Sequence, residues 1–238
     1  LPWEAKEILL HMKRSPLITE KIDLSTTFED FQKFFRLAKE STSSSPSGRH
    51  YGHFKALLQT DKKYLQSIHT ILSISTEHNA ILDRWKPTIS TLIEKIEGKP
   101  YIHKYRTIHI IESDIQFLSK QVYVLGMMKM ADKFGLITDQ QYGARNRRQY
   151  QSAYINKICY YDISRQKVMD SAFLDDDAKA CYDRIVTRLS EVEVQKWGVS
   201  TEAAKFTTKF LHNQKFHLKT AHGTTKQSYQ YNADCRIQ

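Results

Sequence analysis

The sequence of 238 residues is short of cysteine, glycine and proline, and it has no long apolar run. Its cysteines, Cys159, Cys181 and Cys235, lie far apart, without the paired spacing of a zinc site or a disulfide framework. No stretch approaches the roughly 18 apolar residues of a membrane span, and the first residues lack the apolar core of a secretory signal. We therefore expect an intracellular protein, cytoplasmic or nuclear, that is not secreted and has no membrane partner.

Positive charge is what the sequence has in excess. The formal net charge is +10 at pH 7, and lysine and arginine gain free energy by displacing counterions from phosphates. Nucleic acid is therefore the expected partner, and a solvated basic surface without a partner is the alternative. The chain begins at Leu1 and stops at Gln238 after an extended pattern, from which we expect both ends to be cuts in a longer chain.

Apolar spacing predicts several helices. Phenylalanines at helical spacing predict a helix over residues 28–40, with Thr26 and Glu29 as a capping box. A loop rich in Ser, Pro and Gly follows at 41–48. Further helices are predicted near 62–72, 150–161 and 201–211. A helix over 114–134 is expected to be core, with one apolar side formed by Phe117, Leu118, Val122, Leu125 and Met128.

Strands are predicted between these helices. Two apolar segments, at 89–93 and 108–111, flank a turn at 98–100 and predict a basic hairpin over 89–111. Residues 171–174 read as a short strand that leads into three aspartates, and the segments around His222 and Gly223 predict a second hairpin. Because strands and helices do not alternate regularly, the predicted fold class is α+β, not a doubly wound sheet.

The acidic triplet Asp175, Asp176 and Asp177 is the most informative segment. Side chains alternate along a strand, so Asp175 and Asp177 would share one face. Two carboxylates at a strand end suit a hard cation such as magnesium, which serves phosphoryl transfer by binding the attacking and leaving oxygens. The alternative is an acidic loop whose aspartates only cap backbone N–H groups.

The run FLDDDAKACYDRI resembles motif A of reverse transcriptases of the non-LTR retrotransposon and group II intron kind. The resemblance implies that Asp177 is the catalytic ligand of both magnesium (or manganese) ions. Tyr182 would be the aromatic steric gate that packs under the sugar and rejects a 2′-hydroxyl, and Asp183 would close the motif. Cys181 replaces the usual alanine.

Three earlier blocks resemble the same family in the same order. The segment from Trp85 through Lys95 to YRTI is similar to the fingers pattern, although Thr107 stands in place of proline. This similarity implies that Lys95 and Arg106 bind the triphosphate. QYGARNRRQ is similar to the Gln-Tyr-Gly-Phe-Arg block and places Arg145, Arg147 and Arg148 along the template or incoming nucleotide. A solvated charged face is the alternative. SSPSGRHYGHFKAL resembles the block before the hairpin, and His50 and His53 are interpreted as surface or core histidines, not metal ligands.

The resemblance implies the fingers and the first part of the palm of a right-hand polymerase, incomplete at the C-terminus. The expected divisions are an N-terminal helical extension and Ser-rich loop at 1–48, fingers at 49–168 and the start of the palm at 169–238. The expected activity is RNA-directed DNA polymerisation with an RNA template, a DNA primer, dNTPs and Mg²⁺ or Mn²⁺.

Motifs B and C are absent from the sequence, so the chain alone is expected not to polymerise. The alternatives are a non-catalytic nucleic-acid-binding fragment or decayed element copy, and a polymerase that copies RNA into RNA, which Tyr182 disfavours. The sequence leaves the oligomeric state open.

Overall fold

The computed structural model describes residues 18–42, 45–99, 101–145, 147–172, 174 and 185–230, together with residues 3, 6, 7 and 10. These residues form a mixed helix and sheet structure, which confirms the α+β class. The elements are helices and one four-stranded sheet. The predicted entry into motif A, from the acidic triplet to Asp183, lies outside the described residues.

The first regular helix, α1, spans Phe28–Leu37, three residues shorter than predicted. Thr27, not Thr26, is its N-cap: the Thr27 hydroxyl accepts from the Asp30 N–H at 3.1 Å. The capping box predicted at Thr26 is therefore wrong. The Thr26 hydroxyl is instead hydrogen-bonded to His69 Nε2 at 3.1 Å, a contact between distant parts of the sequence.

Two helices follow, α2 (Tyr51–Thr60) and α3 (Lys62–Glu77). His50 is the N-cap of α2, where its Nδ1 accepts from the Gly52 N–H at 3.1 Å. Asp61 caps α3 by accepting from the Tyr64 N–H at 3.0 Å. The helix predicted at 62–72 is thus confirmed and extends further, since Leu65, His69, Leu72 and Ser75 keep a buried face to its last turn.

The predicted basic hairpin is confirmed as strands β1 (Pro87–Glu94) and β2 (Tyr105–Ile110), which pair antiparallel. Strand β3 (Lys215–Thr220) pairs parallel to β1, and β4 (Gly223–Thr224) pairs antiparallel to β3. The sheet order is β2-β1-β3-β4. The sheet therefore joins the hairpin to a segment near the other end of the chain.

The predicted second hairpin is present, but its second strand is short. The Leu218 N–H donates to the side-chain Oγ1 of Thr225 at 3.1 Å, so the backbone leaves the regular ladder there. Pairing returns at one isolated bridge, where the backbones of Phe216 and Tyr229 exchange hydrogen bonds of 2.9 and 3.0 Å.

The predicted helix at 114–134 is a continuous helical stretch in three parts: α4 (Ser113–Ser119), a π-helical segment (Lys120–Met128) and α5 (Lys129–Lys133). Phe117, Leu118 and Val122 are buried as expected, but Leu125 is 47% exposed. The prediction for Leu125 is wrong because a π-helix has i→i+5 hydrogen bonds, so the apolar side drifts away from α-helical spacing.

Three further α-helices follow along the chain: α6 (Tyr150–Gln166), α7 (Thr187–Lys196) and α8 (Thr201–His212). Two short 3-10 helices, Asp83–Trp85 and Ile102–Lys104, precede the two strands of the hairpin. No helix in the part of the chain that the structure describes is long and apolar enough to cross a membrane.

One buried cluster joins Phe35, Phe117, Trp85 and Phe206, so all three predicted divisions contribute to a common core. The boundaries at 48 and 168 stay predictions.

Candidate functional site

The register of β1 and β2 decides which side chains share a face of the hairpin. Ile93 pairs with Arg106 and Glu94 pairs with Tyr105. Lys95 directly follows β1, and its N–H still donates to the Lys104 carbonyl at 2.8 Å. Because side chains alternate along a strand, Lys95 and Arg106 lie on one face and Glu94 lies on the other.

Lys95 and Arg106 are both exposed. Neither side-chain cation has a carboxylate within ion-pair distance among the residues described. The nearest carboxylate in sequence, Glu94, accepts a hydrogen bond from the Gly98 N–H at 2.9 Å in the hairpin turn. The hairpin therefore presents two uncompensated positive charges on one face, a local field that attracts anions.

Rings and an apolar side chain occupy the tip of the hairpin. Tyr101 and His103 stack with ring centroids 5.8 Å apart and planes 16° apart. Ile102 between them is exposed, as is Lys99 in the turn. Exposed aromatic rings beside lysines are the surface type on which nucleic-acid bases stack.

A buried ionic network fixes the base of the hairpin. Glu112 and Asp114 follow β2 and are each 1% exposed. Arg84, just before β1, is hydrogen-bonded to both oxygens of Asp114 and lies 3.5 Å from Glu112 Oε2. Trp85 Nε1 also donates to Asp114 at 3.1 Å. Because one buried carboxylate accepts from both Arg84 and Trp85, the segment before β1 is held against the segment after β2.

The same network holds the Ser-rich loop that the sequence predicted. The backbone N–H and the hydroxyl of Ser47 donate to the two oxygens of Glu112, at 2.7 and 2.9 Å. The hydroxyls of Ser45 and Ser113 both donate to the Arg49 carbonyl, at 2.7 and 3.2 Å. Loop 45–49 is therefore a fixed element beside the hairpin base.

One neighbouring acidic residue is exposed. Asp83 lies beside Lys86, whose Nζ donates to its Oδ1 at 2.5 Å. This hydrogen bond and the charge of Lys86 lower the pKa of Asp83. The carboxylate pairs with Lys86, and the charge of Lys215 on β3 also lowers its pKa.

The three arginines predicted to bind nucleic acid differ in environment. The Arg145 side chain is only 7% exposed and donates to Asp132 Oδ1 and to the Thr138 carbonyl, the latter at 2.7 Å. Arg148 pairs with Asp139 at 2.7 Å. Arg147 is exposed, with a φ of 60°. Arg145 therefore holds the loop against α5, whereas Arg147 and Arg148 are both exposed.

The remaining candidate residues lie outside the described structure. Asp177 and Tyr182 belong there, so neither the metal site nor the gate has a geometry to compare with the prediction. Among the residues described, no group of three or more His, Cys, Asp or Glu side chains comes together to hold a metal ion. The structure thus leaves Lys95 and Arg106 as the predicted site residues that it brings together.

Sequence reasoning missed the network of Arg84, Glu112 and Asp114. The sequence did contain a signal for it. The two acidic residues directly follow an apolar strand and are flanked by isoleucines, a pattern typical of buried residues and not of an exposed acidic pair.

We found no protein-family model that matches this chain, and no curated protein sequence matches it.

Proposed function

We propose that this chain is part of a reverse transcriptase of a mobile element, an RNA-directed DNA polymerase that uses an RNA template, a DNA primer and dNTPs. The hairpin would bind the triphosphate of the incoming nucleotide through Lys95 and Arg106. The observation that carries the proposal is the register of β1 and β2, which puts both cations on one face without a competing carboxylate among the described residues.

The two cations suit a triphosphate in different ways. The Lys95 ammonium is a compact charge on a flexible stem, whereas the Arg106 guanidinium presents a planar fork that matches two phosphate oxygens at once. The buried network at the hairpin base holds both strands in register, so the cations are positioned before the ligand arrives. Less backbone conformational freedom is then lost on binding.

Asp177 would hold the catalytic metal ions in this proposal. Magnesium or manganese, when bound, would stabilise negative charge on the reacting phosphate oxygens. We assign Asp177 no geometry, and the roles of the described residues do not depend on it. Lys95 and Arg106 would neutralise and orient the triphosphate, which is a binding role that can be measured without turnover.

The test is binding of a fluorescent dATP analogue in the presence of magnesium chloride, measured by fluorescence anisotropy. Hydrogen bonds to charged groups contribute about 1.5–3 kcal/mol, so Arg106→Ala and Lys95→Ala should each weaken binding by about 10-fold or more. Arg106→Lys should recover only part of the loss because the fork is gone. The control is Lys62→Ala, an exposed lysine at the start of α3. Equal affinity in the unchanged protein and all four variants would refute a triphosphate site on the hairpin.

A second candidate is a non-catalytic nucleic-acid-binding protein. It is favoured by the net charge of +10 and by the exposure of Arg147, which need no reaction to explain them. Asp177→Asn separates the two. A polymerase site would lose the magnesium dependence of dATP-analogue binding in this variant. A purely binding protein would bind inorganic triphosphate as well as dATP and would not respond to the substitution.

A further inference from the structure

A groove lies between α1, the start of α2 and the helical stretch that follows the hairpin. Its volume is about 570 Å³, which is within the range of small-molecule sites. Much of its wall is apolar. Phe34 lies on α1 and Ala38 directly follows that helix, Tyr51 lies on α2, Ile111 follows β2, and Val124 lies on the π-helical segment.

Neutral polar side chains in the groove already have partners. The Tyr51 hydroxyl donates to Gln116 Oε1, and Gln116 Nε2 donates to the Ile111 carbonyl at 3.2 Å. The Tyr123 hydroxyl donates to Thr207 at 2.7 Å. Burial raises the pKa of Tyr51, so its phenol is uncharged at neutral pH. A ligand of this groove would therefore be held by apolar contact and by charge, not by these hydrogen-bonding groups.

Two cations stand at the wall of the groove. Lys39 and Lys120 both line it, and both are exposed. Neither ammonium has a carboxylate within ion-pair distance in the described parts of the chain. Lys120 Nζ lies over the Phe34 ring, 5.4 Å from its centroid. This cation–π contact keeps one positive charge beside the apolar wall.

The nearest acidic residues in sequence are engaged elsewhere. Glu40, next to Lys39, pairs with Lys55 at 3.1 Å. Glu112 is buried and accepts hydrogen bonds from Ser47. Of the described residues that line the groove, none is an aspartate or a glutamate. The groove thus combines apolar surface with two positive charges that have no acidic partner there, and it complements a negatively charged ligand.

We propose that this groove binds a small amphipathic carboxylate, a molecule with an apolar tail and one acidic head. The tail packs on Phe34 and Val124, and the head contacts Lys39 and Lys120. A ligand with several charges would have to bring some of them against the apolar wall, where they lose hydration. The site is separate from the proposed triphosphate site, since neither Lys95 nor Arg106 lines the groove.

The test uses dansyl-undecanoic acid, a fluorescent carboxylate whose emission rises when its ring leaves water. Lys39→Gln and Lys120→Gln should each weaken its binding by about two- to fivefold, the effect of an exposed ion pair, and the double variant by about 10-fold. Val124→Asp adds a negative charge at an exposed position of the wall and should weaken binding further. Lys62→Gln, an exposed lysine outside the groove, is the control and should leave binding unchanged.

Competition identifies the ligand chemistry. Decanoate should displace the probe at a lower concentration than octanoate, because each fully buried methylene contributes a factor of about four. Decanol, which has a similar tail and no charge, should displace the probe poorly. Equal displacement by decanoate and decanol, or unchanged probe binding in the double lysine variant or in Val124→Asp, would overturn the proposal.

Two further competitors separate other anions from a carboxylate. If decyl phosphate displaces the probe at a lower concentration than decanoate, the head group is a phosphate and the carboxylate assignment is wrong. If a thymidine homopolymer displaces the probe, and does so less well from the double lysine variant, the groove binds nucleic acid and the proposal is wrong.

The result is independent of the triphosphate test. Lys95→Ala and Arg106→Ala should bind the probe as the unchanged protein does, and a loss in either would place the probe at the hairpin and refute the groove. If these two variants leave dATP-analogue binding unchanged while the double lysine variant loses the probe, the proposed polymerase site fails and the carboxylate groove remains.

Discussion

The indole of Trp85 donates its Nε1 proton to Asp114, with both carboxylate oxygens 3.1 Å away. Both residues lie at the base of the hairpin, Trp85 before β1 and Asp114 after β2. Asp114 also accepts from Arg84 on its other side. A single buried carboxylate therefore joins the two points where the hairpin enters and leaves the core.

Asp114→Ala should be strongly destabilising. The substitution removes the acceptor of the Trp85 N–H and leaves the Arg84 guanidinium with Glu112 alone, 3.5 Å away. Breaking a buried ion pair on one side costs about 3–5 kcal/mol. Urea denaturation followed by tryptophan fluorescence would measure the fall in free energy of unfolding. Asp83→Ala is the matched control, since that carboxylate is exposed in its pair with Lys86 and its loss should move the midpoint little. Equal midpoints for Asp114→Ala and the unchanged protein would contradict the network.

Arg145→Ala should loosen the loop between α5 and α6. The buried guanidinium connects Asp132 on α5 to the Thr138 carbonyl in the loop, and both contacts would be lost. We expect faster chymotrypsin cleavage after Tyr142, identified by mass spectrometry of the fragments. Arg147→Ala, which removes an exposed side chain two positions away, should leave the cleavage rate unchanged. If the two variants are cleaved at the same rate, Arg145 does not anchor the loop.

His69 should make stability depend on pH. Burial lowers the pKa of His69 below its ordinary value, and the hydrogen bond with Thr26 and the charge of Asp30 oppose this only in part. The unfolded chain binds a proton near pH 6.5, whereas the folded chain binds it at lower pH. The stabilisation is therefore complete above about pH 6.5 and is lost as the pH falls through the folded pKa.

His69→Gln tests this dependence, because glutamine keeps a hydrogen-bonding group but does not titrate. The urea midpoint of the unchanged protein should fall more between pH 7.5 and pH 5.5, on either side of about 6.5, than the midpoint of the variant. His78→Gln replaces an exposed histidine at the end of α3 and should retain the full pH dependence. The same pH dependence in all three proteins would exclude His69 as its source.

Thr88→Val should stabilise the sheet. Thr88 is 0% exposed on β1, and its hydroxyl has no hydrogen-bond partner among the described residues. Removing an unsatisfied buried hydroxyl at constant shape avoids a desolvation cost of about 1–3 kcal/mol. Thr187→Val is the opposite case, since the buried Thr187 hydroxyl is hydrogen-bonded to His212 at 2.7 Å. The midpoint temperature of thermal unfolding should rise for Thr88→Val and fall for Thr187→Val. Two shifts of the same sign would contradict this assignment.

Local sequence patterns predicted the helices and strands, whereas contacts between residues distant in sequence decided details such as the helix cap. The helix of phenylalanines and the basic hairpin were predictable because apolar spacing and turn residues act within a few positions. Thr26 and Thr27 are equally good caps on sequence grounds. The choice between them depends on His69, which engages the Thr26 hydroxyl from another helix.

In the candidate site, too, the residues within one local element were predictable, and the contacts between distant segments were not. Lys95 and Arg106 were placed on one hairpin from local pattern, and the structure pairs their strands. The position of β3 beside the hairpin was not foreseen, because its parallel pairing with β1 joins segments distant in sequence, which no local pattern encodes. Arg145 belongs to a run of arginines that look alike in sequence, and only the position of Asp132 sets it apart.

The parallel pairing of β1 with β3 also bears on how the chain reaches its native state. The hairpin of β1 and β2 closes a short loop and can form on its own, whereas β3 must return to β1 across most of the intervening helices. Contacts between residues so distant in sequence have a large loop-closure entropy and slow folding. We expect β1 to spend the early stage of folding as an open edge, which makes Thr88 through Thr91 the segment most exposed to mispairing with other chains.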